Sequence, residues 1–322
     1  MTRRGVMIVL GFVLAIAAIT GLVAVLSPAL VTSVFRHDQP SPAARASQPS
    51  SAAEQAAPST GAGDATTPGT DRPEVRIAVA GDTGTGTDAE HAIAREMDVQ
   101  SRDDTYDALL LLGDLIYENG DASHVGDRIT EPFSPVLGDG AQLVPVLGNH
   151  DYKSDEEQQI LSKLGRKDRW YTQQVGPVRL IVLDSNRVDD PEQARWLEAT
   201  LAETVPSGTW TIAAMHHPAY SSGQHGSTPS IQQRWVPLFT KYHVPLVLAG
   251  HDHDYERTTP QDGVTYVVSG AGAKLRPVGK EPFTAISTST LQYLDLAVYG
   301  DHLTGTAIDP DGNVLDTFTL TR

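Results

Sequence analysis

Six short apolar, β-branched runs, each ending in polar residues, form the pattern of the chain from residue 75 onward. They are "VRIAVAGDTG" (75–84), "ALLLLGDLIY" (108–117), "LVPVLGNHD" (143–151), "RLIVLDSN" (179–186), "TWTIAAMHHP" (209–218) and "VPLVLAGHDH" (244–253). Continuous rather than alternating hydrophobicity is typical of strands buried on both faces, as in an α/β sheet covered by helices. Segments 88–100, 191–203 and 230–242 lie between these runs and are predicted helices, the second with Asp190 as its cap and Pro191 at its first position.

The C-terminal part has a different pattern. The stretches 264–272, 292–309 and 313–321 alternate and are joined by turns containing Gly and Asp, so they predict an antiparallel meander. The Gly-rich turn "VVSGAGAKLRP" (267–277) is compatible with a close approach of the backbone to the strand edge or with a tight bend, and the bend is slightly favoured.

The N-terminal part carries a membrane signal. Arg3 and Arg4 precede an uncharged run, residues 5–26, which as a helix would be roughly 33 Å long and would span a bilayer core of about 30 Å. Small-x-small sites at 27–29 and 44–46 keep a cleaved signal peptide as the alternative, but the length of the run favours an uncleaved anchor. Because the arginine pair holds the N-terminus inside, both alternatives export the remainder of the chain, either anchored to the cell membrane or secreted.

Composition changes at the end of this segment. We predict an anchor or signal peptide at 1–35, a disordered linker rich in Pro, Ala, Ser and Thr at 36–73, and a catalytic domain at 74–322. The formal charge of −16 argues against a nucleic-acid partner and confines membrane contact to the N-terminal segment. The chain has no cysteine, which excludes disulfides, thiolate metal sites and thiol nucleophiles. Its oligomeric state is not readable from the sequence.

Five of the six runs deliver metal-ligand side chains where the strand ends. These are Asp82, then Asp114 with Tyr117, then Asn149 with His150, then His216 with His217, and then His251 with His253. The carboxyl ends of parallel strands converge on one edge of an α/β sheet, where such folds place ligands. Taken singly, Asp82 after a strand is more often a turn residue, and Asp184, which ends the sixth run alone, is interpreted as a capping or turn residue.

The ordered blocks "GDTG", "GDLIY", "GNHD", "MHHP" and "GHDH" resemble the five-block signature of calcineurin-like metallophosphoesterases. The tyrosine of the second block and the continuation "GHDHDYER" resemble the purple acid phosphatase branch. The resemblance covers residues 75–272. It implies an α/β fold of mixed α+β type, a four-layer αββα sandwich of two mixed β-sheets flanked by helices.

The same resemblance implies two metal ions and their ligands. One ion, usually Fe(III), would be held by Asp82, Asp114, Tyr117 and His253. The other, a divalent Fe, Zn or Mn ion, would be held by Asp114, Asn149, His216 and His251, with Asp114 bridging the two. Oxygen ligands around the harder ion and neutral ligands around the other suit this chemistry.

Other residues are expected near these ions. In the purple acid phosphatase branch, the histidines at the positions of His150 and His225 bind the substrate phosphate or protonate the leaving group. For His225, the alternative is a loop histidine without a catalytic role. Asp151 stands where many relatives have Glu and is expected, like His217, outside the metal ligands. Tyr255, Glu256 and Arg257 are expected to support the histidine turn by hydrogen bonds.

Together these features predict an exported metal-dependent phosphoric ester hydrolase of the acid phosphatase type, in which a metal-bound hydroxide attacks a phosphate monoester. A phosphodiesterase or nucleotide pyrophosphatase with the same centre is the alternative within the enzymes. A tethered binding protein that kept the fold without turnover is the alternative outside them.

Overall fold

The part of the protein that the computed structural model describes, residues 72–322, consists of thirteen strands, six α-helices and three short helical turns. The strands β1 to β13 are Val75–Ala80, Ala108–Leu111, Gln142–Pro145, Tyr171–Val175, Val178–Val182, Trp210–Ala214, Leu246–Ala249, Tyr255–Thr258, Thr265–Ser269, Thr284–Thr288, Tyr293–Val298, His302–Ile308 and Val314–Thr321. The helices α1 to α6 are Asp88–Ser101, Ser134–Gly138, Glu157–Lys163, Pro191–Ala202, Pro229–Arg234 and Val236–Lys241.

The predicted N-terminal anchor (1–35) and all but the last two residues of the predicted linker (36–73) lie outside the described residues. Among residues 72–322, no helix has the length and apolar character needed to cross a bilayer. The export of the chain therefore stays a prediction from the sequence.

The strands form two mixed sheets. The first has the order β13-β12-β11-β1-β2-β3, with β1, β2 and β3 parallel and β11, β12 and β13 joined to them antiparallel. The second has the order β10-β8-β9-β7-β6-β5-β4, in which β5, β6, β7 and β9 are parallel. Parallel strands at the centre of each sheet explain the continuous apolar runs, because both of their faces are covered.

Three apolar layers separate the sheets from each other and from the helices. Alternate residues of β1 show the arrangement, since Ile77 and Val79 pack between the sheets while Ala78 packs toward α1. Helices α4, α5 and α6 pack on the outer face of the second sheet, where Phe239 and Leu197 are fully buried. The predicted four-layer αββα sandwich is thus confirmed.

The predicted elements agree with the structure except at three places. Helix α4 begins as expected, with the Asp190 side chain accepting hydrogen bonds from the backbone N–H groups of Glu192 and Gln193. The single helix expected at 230–242 is instead two helices, because Pro237 lies in the first turn of α6 and a proline cannot continue a helix from the preceding turn. Strands β4, β8 and β10 and the short helices α2 and α3 were not predicted.

The third difference concerns the C-terminal strands. Strands β11, β12 and β13 form the antiparallel meander that their alternation predicts. The stretch 264–272 does not join it, because β9 lies in the other sheet, parallel to β7 and antiparallel to β8. Its five residues are all buried, so the pattern of this strand is that of a sheet centre and not of a meander.

Candidate metal centre

The carboxyl ends of β1, β2 and β3 in one sheet meet those of β6 and β7 in the other. A backbone hydrogen bond from Gly81 N to Ser269 O, 2.7 Å long, joins the two sheets at this edge. Three residues that follow the strands, Asp82, Asp114 and His251, have φ of 58°, 51° and 72°. Left-handed backbone at residues other than glycine is costly and is frequent at functional sites, and three of the six such residues in the described part of the chain lie at this edge.

One group of donor atoms lies around Asp82. The Tyr117 hydroxyl donates to Asp82 Oδ1 at 2.9 Å and lies 3.1 Å from His253 Nε2. His253 Nε2 is 3.4 Å from the same carboxylate oxygen. The carboxylate, the phenol and the imidazole therefore point at one small volume.

A second group lies around His216. Its Nε2 is 3.0 Å from Asn149 Oδ1, 3.4 Å from Asp114 Oδ1 and 3.3 Å from His251 Nδ1. Its other nitrogen, Nδ1, lies 2.8 Å from the carbonyl oxygen of Leu112, which sets the direction of the ring. Donor atoms of Asp82, Asp114 and His216 all lie within 4.8 Å of one another, so the two groups are contiguous.

Burial makes this cluster electrostatically unusual. Asp82 is 0 % exposed, and burial, together with the nearby charge of Asp114, raises the pKa of Asp82 to about 8. Burial also lowers the pKa of His253 to about 4, with Arg276 acting in the same direction, and it lowers the pKa of His251 further. The neutral imidazoles and the buried carboxylates together offer many lone pairs. The ligand side chains themselves supply little positive charge to balance the carboxylates.

That donor set fits metal cations. It offers two carboxylates, a phenol oxygen, an amide oxygen and three imidazole nitrogens, and these are ligands for hard and borderline ions. The structure brings together all seven residues that the sequence predicts as ligands, which are Asp82, Asp114, Tyr117, Asn149, His216, His251 and His253.

The three remaining predicted histidines also lie at this edge. His150 donates its backbone N–H to Asp114 Oδ1 at 2.8 Å, and its Nε2 is 3.9 Å from Asp114 Oδ2. The ring of His225 lies 4.4 Å from that of His251, centroid to centroid. His217 is closer to the donors than expected, since its ligand atom lies within 4.8 Å of those of His216 and His251.

Asp151 lies inside the structure rather than on the open side of the centre. It is fully buried and accepts hydrogen bonds from the backbone N–H groups of Leu115, Ile116 and Gly148 at 3.2, 3.0 and 2.8 Å. These bonds hold the loops after β2 and β3 against each other. Asp151 therefore helps to position Asp114 and Asn149, the residues next to its hydrogen-bond donors.

Tyr255 and Arg257 do not bond to the histidine turn, contrary to expectation. Both lie on β8, and their side chains donate to Asp316 of the other sheet at 2.8 and 2.7 Å. Glu256 points to the opposite face, as alternation along a strand requires, and accepts from the backbone N–H of Ser222 at 2.6 Å. Strand β8 was not predicted, and without it the directions of these side chains could not be assigned.

Several basic residues at the centre were not predicted from the sequence. Lys274 Nζ lies 3.5 Å from the centroid of the Tyr117 ring, Arg276 Nε donates to His253 Nδ1 at 3.2 Å, and Lys153 Nζ is 2.9 Å from His150 Nδ1. The sequence signal for Lys274 and Arg276 is their place in the Gly-rich turn 267–277, for which a close backbone approach and a slightly favoured tight bend are the two alternatives.

Comparison with known proteins agrees with this geometry. A family model described as Calcineurin-like phosphoesterase matches residues 75–255. Tartrate-resistant acid phosphatase type 5 of Homo sapiens is 30% identical over 247 residues, which cover 64% of this chain and 75% of that protein. Purple acid phosphatase 17 of Arabidopsis thaliana is 27% identical over 237 residues, covering 62% of this chain and 69% of that protein.

Solved structures show the same fold. The purple acid phosphatase PPD1 of yellow lupin matches with a TM-score of 0.67 at 22% identity, covering 77% of this chain and 54% of that one. GAP50, described as the anchor in the inner membrane complex of Plasmodium, also has a TM-score of 0.67, at 18% identity, covering 78% and 89%. The chain therefore belongs to the calcineurin-like phosphoesterases, in their purple acid phosphatase-like branch, and is a metal-dependent hydrolase of phosphoric esters.

Proposed function

We propose that the chain is an exported phosphatase that hydrolyses phosphate monoesters at a centre of two metal ions. The observation that carries this proposal is the convergence of seven donor side chains from five strand ends on one edge of the sandwich. The acid phosphatases among the relatives support phosphate monoesters as the substrate class.

Each ion would have its own ligands. The first, Fe(III), would take Asp82, Asp114, Tyr117 and His253, and the second, a divalent Fe, Zn or Mn ion, would take Asp114, Asn149, His216 and His251. Asp114 is suited to the shared position, since its Oδ1 is 3.4 Å from His216 Nε2 and ligand atoms of Asp82, Asp114 and His216 lie within 4.8 Å of one another. The oxygen donors are concentrated on the first ion, which favours the harder metal there.

When bound, the two cations neutralise charge on the phosphoryl oxygens and acidify the attacking water. The protein contributes orientation and protons. The backbone N–H of His150 holds Asp114 Oδ1 in place, and the loop that carries His225 is held by Asp252, whose Oδ1 accepts from His225 N at 2.7 Å. In this proposal His225 gives a proton to the departing oxygen, and His150 assists it.

The central test is hydrolysis of phenyl phosphate by the metal-loaded protein and by its Asp114→Asn variant. We expect the variant to lose at least about a hundredfold in kcat and to retain less metal, because a shared carboxylate holds both ions. Asp139→Asn is the matched control, since Asp139 is exposed at the end of α2. An Asp114→Asn protein as active as the control would end the proposal.

The substrate class is tested by comparing phenyl phosphate with diphenyl phosphate. A monoesterase should have the higher kcat/KM for the monoester. Faster turnover of the diester would contradict monoester specificity and leave metal-dependent hydrolysis in place.

The identity of the first ion is tested by the visible spectrum together with elemental analysis. A tyrosinate bound to Fe(III) absorbs visible light, so we expect a coloured protein whose band disappears in Tyr117→Phe. Tyr242→Phe is the control, because Tyr242 directly follows α6 and its ring contacts Lys241 rather than a predicted ligand. A colourless, iron-free and active protein would contradict the Fe(III) assignment.

Export is tested on intact cells that express the full chain. We expect an added protease to digest the catalytic domain, and the mass of the recovered protein to show whether residues 1–35 remain. Full protection of the domain from the protease would contradict export.

A further inference from the structure

The loop that follows β9 approaches the metal centre closely. A Cβ added to Gly272 would lie 2.5 Å from the carbonyl oxygen of Gly81 and 2.5 Å from Thr83 Cγ2. Only glycine fits where the backbone of this loop passes the end of β1. The close approach carries the next residues of the loop, and with them two basic side chains, to the rim of the centre.

The two basic side chains of this loop have different surroundings. Lys274 Nζ donates to Glu118 Oε1 at 2.8 Å, so its charge is balanced. Arg276 has no carboxylate partner among residues 72–322, and its contacts are with His253, through Arg276 N to His253 O at 2.9 Å and through Nε to Nδ1 at 3.2 Å. Arg276 is half-buried, and the bond from its Nε to His253 is the only side-chain hydrogen bond it makes within residues 72–322.

The contact with His253 leaves the guanidinium of Arg276 available. A neutral histidine ring that binds a cation through Nε2 carries its proton on Nδ1 and has no lone pair there to accept a bond. With a cation on His253 Nε2, Arg276 needs another acceptor for Nε, and its donors suit a carboxylate or a phosphate.

Arg276 and His225 are both held at the turn that carries His251 and His253. Arg276 Nε donates to His253 Nδ1 at 3.2 Å, and Asp252, the residue before His253, accepts from His225 N at 2.7 Å. His225 is the residue that the proposed function assigns to the departing oxygen. If His225 serves the departing oxygen, a charge at the same turn would act on the leaving group.

We propose that Arg276 forms an anion subsite that selects phosphate esters whose leaving group carries a second negative charge, either a carboxylate or another phosphate. This inference rests on the proposed function and adds to it the class of leaving group. The unpaired charge is a local exception in a chain of formal charge −16, which otherwise disfavours anions.

The proposal is tested by calorimetric binding of phosphonates, which are not hydrolysed, to the metal-loaded protein. Propylphosphonate and 3-phosphonopropionate have the same number of carbon atoms and differ in that a carboxylate replaces the terminal methyl group, and ethane-1,2-diphosphonate presents a phosphonate in place of that carboxylate. We expect at least one of the two compounds with an anionic tail to bind about tenfold more tightly than propylphosphonate, as a charge-assisted bidentate contact allows. The compound that gains identifies the preferred second anion.

Three variants localise the effect. The ratio to follow is the dissociation constant of propylphosphonate divided by that of the phosphonate with the anionic tail. Arg276→Gln should reduce this ratio to about 1. Arg276→Lys should restore part of it, because lysine keeps the charge without the planar fork. Lys280→Gln is the matched control, since Lys280 is exposed on the same loop and should leave the ratio unchanged. Metal content is measured for each protein after titration, so that loss of metal to the phosphonates is detected.

The outcomes separate this inference from the proposed function. Equal binding of all three phosphonates by the wild-type protein, or an undiminished ratio in Arg276→Gln, would overturn the subsite while leaving a phosphatase. No binding of any phosphonate by protein with a full metal content would overturn both.

Discussion

At the scale of single residues, the buried carboxylates of the metal centre contrast with Glu90, which is buried on α1. Asp82 and Asp114 face imidazoles and a phenol at the metal centre. Glu90 on α1 is equally buried at 0 % exposed, but its Oε2 accepts only from Gly86 N at 2.5 Å and from Thr85, and Oε1 has no partner among the described residues. A carboxylate in such surroundings costs stability when it ionises.

This difference predicts a pH-dependent effect of Glu90→Gln. Burial raises the pKa of Glu90 to about 8, so the folded protein keeps a proton that the unfolded chain loses near pH 4. The stability of the wild type therefore falls as pH rises through this window, by up to roughly 1.4 kcal/mol for each pH unit. Denaturant unfolding should show the variant gaining relative to the wild type between pH 5 and pH 8 and levelling off above it.

The control for this prediction is Glu131→Gln, because Glu131 is exposed. Its free energy of unfolding should follow that of the wild type at every pH. A Glu90→Gln variant that also follows the wild type would show that Glu90 ionises as readily in the folded protein as in the unfolded chain.

At the scale of elements, the ends of neighbouring strands must come very close for their side chains to bind the same metal ion. Gly148 follows β3, and a Cβ added there would lie 2.1 Å from the backbone nitrogen of Asp114 and 2.2 Å from its Oδ1. The loop after β3 thus packs directly on the residue proposed to bridge the two ions.

Gly148→Ala is therefore expected to displace Asp114. The variant should lose at least about tenfold in phosphatase kcat and should retain less metal by elemental analysis, since a small misplacement of a ligand weakens the site. Gly138→Ala is the matched control, because a Cβ at Gly138 meets nothing within 4 Å and the residue lies in α2. It should keep its metal and activity and be neutral or slightly more stable. A Gly148→Ala protein with full metal content would contradict the steric argument.

At the scale of the whole molecule, an apolar layer joins the two sheets, and a polar cluster around Asp316 crosses that layer. Tyr255 and Arg257 of β8 both donate to Asp316 of β13, and the Arg257 guanidinium lies 5.3 Å from the centroid of the Phe318 ring. The Asp316 side chain is only 9% exposed, so its charge depends on these donors. The cluster lies between the sheets. Its hydrogen bonds join β8 to β13 and do not involve the metal ligands.

Asp316→Ala should destabilise the protein without removing its metals. Loss of the carboxylate leaves Arg257 without its partner, which we expect to lower the free energy of unfolding by about 1 to 3 kcal/mol in denaturant. Glu198→Ala breaks the exposed pair with Lys241 instead and should cost less than about 1 kcal/mol. Equal effects of the two variants, or loss of metal in Asp316→Ala, would contradict this role.

Local sequence predicted much of the fold and of the centre. The strands that carry Asp82, Asp114, Asn149, His216 and His251 were visible as apolar runs, because a strand buried on both faces has a pattern that a few consecutive residues display. Strands β4 and β10 were not visible, because they lie at the two edges of the second sheet and each has only one buried residue, so neither forms an apolar run. Their identity depends on pairing with distant residues.

The sequence by itself determined which residue types stand at the ends of the buried strands, and hence the family and the candidate ligands. Tertiary structure alone decided that β9 belongs to the second sheet, that Tyr255 and Arg257 bond Asp316, and that Arg276 lies beside His253. The physical reason is that apolar burial and turn chemistry act over a few neighbouring residues, whereas sheet order and loop approach depend on contacts between residues far apart in the chain.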